Sequence, residues 1–260
     1  MKIIFAAALL FSMGFIGTDT IRMPGAYKML SQSVKGANID TNYNSVQQLK
    51  IYTDSYMMYA NFNPVDSSSG FGIASYNTNK DGIVENVIYS ATNENKNETP
   101  ISFKLMIEKT AKGYKQIIPD MVMNDGQSIK LTEEYESVGT ADKSPLDGNW
   151  KQTRSYYVNG KDSTETKLTQ FKTYYAGYVI WGHTYADSAN KSHTAIGFGK
   201  FKMNGKNKLK ESMMTSTYDV VRGKEFEIDI EMKGSDEYKQ INYNKDGSKG
   251  VEIYQRLKKP

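Results

Sequence analysis

The sequence predicts an all-β protein built as two tandem up-and-down antiparallel β-barrels, with about eight strands in each. Three observations carry that expectation. The chain repeats itself, its apolar residues alternate with a period of two, and turn residues interrupt it at short intervals.

The repeat sets the domain organisation. "GAYKM" at 25–29 answers to "GNWKQ" at 148–152, and "YMMY" at 56–59 to "YVIW" at 178–181. "SGFGIASY" at 69–76 answers to "IGFGKFKM" at 196–203, "FKLMIE" at 103–108 to "FEIDIE" at 226–231, and "GYKQI" at 113–117 to "EYKQI" at 237–241. The five matches keep their order at separations of 122 to 127 residues, as a tandem duplication requires. They place one domain at 22–138 and a second at 146–258. The stretch "VGTADKSPLDG" between them carries glycine, proline and alternating charge, the composition of a short linker.

Within each copy the strands follow from the alternation. In "FEIDIEM", Phe226, Ile228, Ile230 and Met232 share one face and the acids share the other. In "VEIYQRL", Val251, Ile253 and Leu257 fall on one side. Copy one reads as strands over 25–34, 47–53, 55–62, 70–77, 83–92, 101–109, 112–118 and 127–136. Turn signals at "NKDG" (79–82) and "NDG" (124–126) in copy one, and at "MNGKN" (203–207) and "NKDG" (244–247) in copy two, punctuate the strands. Nineteen tyrosines, ten phenylalanines and only six prolines suit pleated, half-buried surfaces. Closing eight such strands into a barrel removes the exposed sheet edges.

Composition narrows the function. A net charge of +4, spread over lysines interleaved with acids, forms no basic stripe, so nucleic acid is not an expected partner. The absence of cysteine excludes disulfides, thiolate chemistry and a lipoprotein anchor. The opening "MKIIFAAALLFSMGFIG" joins one positive residue to a short apolar run, so residues 1–21 read as a signal peptide and short N-terminal segment. Export to the periplasm or outside the cell follows, with no transmembrane span after its removal.

At the start of each copy stands a glycine, one residue and an aromatic: Gly25 with Tyr27, and Gly148 with Trp150. This resembles the G-x-W signature of lipocalin-like (calycin) barrels, in particular exported bacterial ones. The resemblance implies that Trp150 packs at the closed end of its barrel against an arginine from a late strand, here Arg256. Copy one departs from the pattern, with Tyr27 for the tryptophan and no arginine in its final segment.

The candidate site residues lie around "GYVIWGHTYADSANKSHTAIGFGKF" at 177–201, which holds both histidines. His183 and His193 flank a polar turn, and their counterparts in copy one are not histidine. Two imidazoles with Asp187 make too small a set for a zinc site, so no metal and no cofactor are expected. Tyr178, Trp181, His183 and His193, with Tyr56 and Tyr59 in copy one, are the candidate ligand contacts on an aromatic-lined wall. The second barrel, which gains a tryptophan and two histidines over the first, is expected to hold the ligand at its open end. Glu85 and Glu211 match between copies, as do Glu108 and Glu231, but each pair is split between domains, so a shared acid–base role is not expected. Without a nucleophile elbow or phosphate loop, the protein reads as a non-enzyme that binds a small hydrophobic or amphipathic molecule. The alternative is a structural or interaction protein whose barrels are filled by side chains.

Overall fold

The computed structural model describes residues 21–91, 101–123 and 126–260. The signal peptide expected over 1–21 lies, apart from Ile21, outside them. Copy one forms β1 (Gly25–Gly36), β2 (Asp40–Tyr43), β3 (Gln47–Tyr52), β4 (Tyr56–Phe62), β5 (Ser69–Asn79), β6 (Gly82–Ser90), β7 (Ser102–Lys109), β8 (Gly113–Val122) and β9 (Ser128–Ser137). Copy two forms β10 (Gly148–Asn159), β11 (Asp162–Glu165), β12 (Thr169–Tyr175), β13 (Tyr178–Ala186), β14 (Ser192–Met203), β15 (Lys208–Ser216), β16 (Glu225–Lys233), β17 (Glu237–Tyr243) and β18 (Lys249–Arg256). Among the described residues no helix is long and apolar enough to cross a membrane.

Each copy is a closed eight-stranded antiparallel barrel with one extra strand. The meander runs β1-β3-β4-β5-β6-β7-β8-β9 and closes by pairing β1 with β9; copy two repeats it and closes β10 on β18. Both closures carry a register shift at the same place, between Met29 and Ser31 and between Gln152 and Arg154. The extra strands, β2 and β11, pair only with the far ends of β1 and β10. They have no apolar alternation to betray them: β11 is wholly exposed, and β2 alternates between exposed and half-buried residues with none buried.

Two findings refine the sequence reading. The hairpin β13–β14 is longer than β4–β5, so Gly197 takes the place of Gly72: both sit opposite the aromatic of the preceding strand, Trp181 and Tyr59. The "GFG" match is therefore displaced by two residues, which preserves the inward and outward faces. In the last strand the side that carries Val251 and Ile253 is the outward one. Tyr254 belongs to the barrel-two core and its hydroxyl donates to Glu252, so these two point inward and Val251 and Ile253 outward.

The barrels are not independent beads. Ile51, Met58 and Phe71 of barrel one and Phe171, Ile180 and Phe198 of barrel two belong to one hydrophobic cluster. These residues lie on the outward faces of β3–β5 and of β12–β14, the same three strands of each copy. The contact has the self-matching character of a two-fold dimer interface. Hydrogen bonds rim it, from Thr53 Oγ1 to Asn149 Oδ1 (2.7 Å) and from Thr215 Oγ1 to Gln47 Oε1 (2.6 Å).

Candidate functional site

The closed end of barrel two is built around Trp150, which is fully buried. Its indole N–H donates to the Leu146 carbonyl at 2.8 Å, and the Arg256 guanidinium lies over its ring at 4.0 Å. Tyr27 holds the equivalent place in barrel one, donating to the Met23 carbonyl at 2.9 Å. Each signature aromatic meets a tyrosine edge-on, Tyr114 in copy one and Tyr238 in copy two.

Above these ends each barrel encloses a polar network that the alternation rule did not assign. In barrel one, Lys50 Nζ lies 2.8 Å from Glu85 Oε1 and donates to Gln116 Oε1 at 2.9 Å. Tyr52 donates to the same Glu85 oxygen at 2.5 Å. Glu133 accepts from Gln32 (2.7 Å), Gln116 (2.9 Å) and Tyr135 (2.8 Å), and Gln48 donates to the Tyr135 oxygen. Burial, with the neighbouring carboxylates, pushes the Tyr52 and Tyr135 hydroxyls well above their ordinary value, so both remain donors.

Barrel two repeats the set. Lys172 donates to Gln240 at 2.9 Å and lies 3.8 Å from Glu211, which accepts from Tyr174 at 2.6 Å. Tyr254 donates to Glu252, and Gln170 donates to the Tyr254 oxygen. Lys50, Glu85, Lys172 and Glu211 are each at most 5% exposed, so each charge depends on its partner. The signal was present as Q-x-K-x-Y in both copies, Gln48-Lys50-Tyr52 and Gln170-Lys172-Tyr174, and as E-x-Y at Glu133-Tyr135 and Glu252-Tyr254. The other matched acids, Glu108 and Glu231, lie outside, paired with Lys115 and Lys239.

The candidate contacts separate into two groups. Trp181, His183, Tyr185 and His193 form a run of stacked or tilted rings at the upper end of barrel two. Trp181 and His183 are nearly parallel, 15° apart with centroids at 5.6 Å. His183 Nδ1 bonds to Gln170 Oε1 (2.9 Å) and Nε2 to the Tyr218 hydroxyl (3.0 Å). Burial, helped by Lys172, lowers its pKa to about 4, so the ring is neutral near pH 7. Tyr185 stands between the two histidines, and His193 Nε2 pairs with Asp187 Oδ2 at 2.7 Å. Among the described residues no group of three or more His, Cys, Asp or Glu could hold a metal.

Tyr178 and Tyr56 point the other way. Tyr178 belongs to the inter-barrel cluster, and the Tyr56 hydroxyl donates to the Lys258 carbonyl, so neither lies on a barrel's inner wall. Tyr59 does face inward, and burial pushes its hydroxyl up to about 12. It lines a cavity of about 250 Å³ in barrel one. The apolar part of the wall includes Met57, Val87, Phe103 and Leu131; the polar part includes Gln48, Lys50, Asn61 and Glu133.

Fold and site together define a tandem up-and-down β-barrel protein, an architecture consistent with a lipocalin-like fold, whose two interiors carry duplicated buried ion networks. Compared with protein-family models and with curated proteins, the chain matches none.

Proposed function

We propose that this is an exported, non-catalytic lipocalin-like protein that binds a small, partly apolar molecule inside its first barrel. The observation that carries this is the 250 Å³ cavity with its mixed apolar and hydrogen-bonding wall. Small-molecule sites combine apolar walls with a few placed polar groups, and this volume suits a ligand smaller than a typical drug. In barrel two the matching wall positions carry bulkier rings, Trp181 for Tyr59 and His183 for Asn61, each already engaged by protein partners. Barrel two thus favours the second reading, of a filled structural or interaction module, for its own half. Export rests on the leader-like start of the sequence.

The test is to extract the protein from its own host, identify co-purifying small molecules by mass spectrometry, and titrate them into the refolded chain. A ligand at one hundred times its Kd raises stability by about 2.7 kcal/mol. Tyr59→Trp with Asn61→His, which gives barrel one the rings of barrel two, should abolish that gain. A gain unchanged in the filled variant refutes the site. Detection of an intact leader on the mature chain refutes export.

A further inference from the structure

Barrel two is a filled counterpart of the barrel-one cavity. The strand pairings make Gln48 the counterpart of Gln170, since each lies opposite position 61 or 183, and make Tyr59 the counterpart of Trp181. Gly72 and Gly197 match as the floor beneath those two aromatics, and Ser90 and Ser216 match across the next strand. The frames are equivalent; the contents differ. Barrel two carries an imidazole at position 183, lying parallel to the aromatic of position 181 and hydrogen-bonded to the amide of position 170. Barrel one carries the shorter Asn61, whose amide reaches Gln48 Oε1 only at 3.3 Å, and the cavity opens beside it.

From this we infer that the barrel-one cavity takes a small, flat, uncharged nitrogen heterocycle, stacked along Tyr59 with its ring N–H donating to Gln48 Oε1. The inference rests on the binding function proposed above and adds the ligand class. Volume agrees: at ~30 Å³ per water the cavity holds about eight waters, the space of a one- or two-ring heterocycle.

Charge agrees as well. Lys50 is matched by Glu85, so an anionic ligand finds no free cation on this wall. A cationic one would have to compete with the hydrogen bonds from Gln32, Gln116 and Tyr135 that already engage Glu133. The groups facing this space from the surrounding strands are Lys50, Glu85, Glu133 and Tyr59. In barrel two, burial beside Lys172 keeps the resident imidazole neutral. A long alkyl chain is disfavoured, because it would cover Gln48, Asn61 and Gln116 without bonding to them.

The experiment titrates the full chain at pH 7.5 by calorimetry with benzimidazole and indole, against decanoate, benzylamine and naphthalene. The expected result is binding of the two heterocycles at least tenfold tighter than the other three, weakened at least tenfold by Tyr59→Ala and by Gln48→Met. The filled variant Tyr59→Trp with Asn61→His should bind none; Leu131→Trp is a second way to fill the cavity if that variant does not fold. His183→Ala, made in the filled background, opens the matching place in barrel two, and free imidazole should raise the melting temperature of that protein but not that of the filled variant with His183 intact. Preference for decanoate, benzylamine or naphthalene, lost on filling barrel one, overturns the ligand class and leaves the binding function standing. If no probe and no host-derived molecule distinguishes the unaltered chain from the filled variants, both fail.

Discussion

The guanidinium of Arg256 lies over the Trp150 ring, and each of its three nitrogens donates to a backbone carbonyl: Ser235 (2.8 Å), Asp147 (2.5 Å) and Pro145 (3.0 Å). One side chain thus ties the end of the linker and the β16–β17 turn to the barrel floor. A stacked cation contributes about 0.5–2 kcal/mol, and hydrogen bonds from a charged donor contribute more than neutral ones. Arg256→Ala should therefore cost about 3 kcal/mol in urea unfolding. Arg256→Lys should recover less than half, since an ammonium cannot serve three divergent carbonyls while stacking. A cost under 0.5 kcal/mol would show that the clamp is not structural.

Trp181 lies so close to Gly197 that a Cβ there would stand 2.4 Å from its ring, and Tyr59 crowds Gly72 in the same way at 2.6 Å. The two contacts should respond differently to added bulk. Trp181 is held by His183 and Tyr218 and cannot retreat, so Gly197→Ala should destabilise by about 1–3 kcal/mol and shift tryptophan emission. Tyr59 borders open space, so Gly72→Ala should cost roughly half as much. Equal costs would argue that the barrel-one cavity offers Tyr59 no room.

The fold was legible because the duplication and the period of two are global signals that no single residue can mask. Seven of the eight strands expected in copy one both begin and end within about two residues of the observed bounds, and β8 runs further only because Met121 and Val122 resume pairing after a bulge. The site was less legible. Alternation assigns charged residues to solvent, a rule that holds for Glu108 and Glu231 but fails for Lys50, Glu85, Glu133 and their counterparts. Those charges are tolerated inside because each meets partners from strands far apart in sequence, and the sequence alone does not show those meetings. Tyr56 and Tyr178 were misleading for a related reason. A face opposite a barrel's interior need not be polar when a second barrel covers it.

The Lys50–Glu85 pair gives a sharp mutational test. Removing one partner leaves the other buried and unpaired, which costs about 3–5 kcal/mol, whereas replacing both by apolar groups of similar size is close to neutral. Glu85→Leu and Lys50→Met should each be severe, and the double variant should recover most of the loss. Purely additive costs in this double-mutant cycle would mean that the two side chains do not stabilise one another. Barrel two, where Lys172 and Glu211 are 3.8 Å apart, should show a smaller coupling.

His183 makes stability depend on pH with a definite sign. Its folded pKa near 4 lies below the value of about 6.5 for a free imidazole, so between those limits the unfolded chain binds a proton that the folded chain does not. Stability from this group is complete above pH 6.5 and is lost as pH falls towards 4, by up to about 3 kcal/mol. Lys172, Gln170 and Tyr218 surround the ring and supply no carboxylate to reverse that sign. Urea unfolding at pH 7.5 and 4.5 should show a drop that is smaller in His183→Gln. An identical drop in both proteins would place the titration elsewhere.

The shared apolar cluster should make the two barrels one unit of stability. Phe71 is fully buried against the other barrel, and a Cβ on Gly182 would stand 2.4 Å from its ring. Phe71→Ala should cost about 3–5 kcal/mol while the whole chain still unfolds in a single transition. A fragment of residues 22–138 would expose Ile51, Met58, Phe71 and Ile73 on one face. Because β3–β5 already meets a near copy of itself, the fragment should pair through that face into a homodimer, and Phe71→Glu should return it to a monomer. Light scattering at tens of micromolar distinguishes the states. A soluble, monomeric and stably folded fragment would show that the interface is dispensable and that the barrels fold as separate domains.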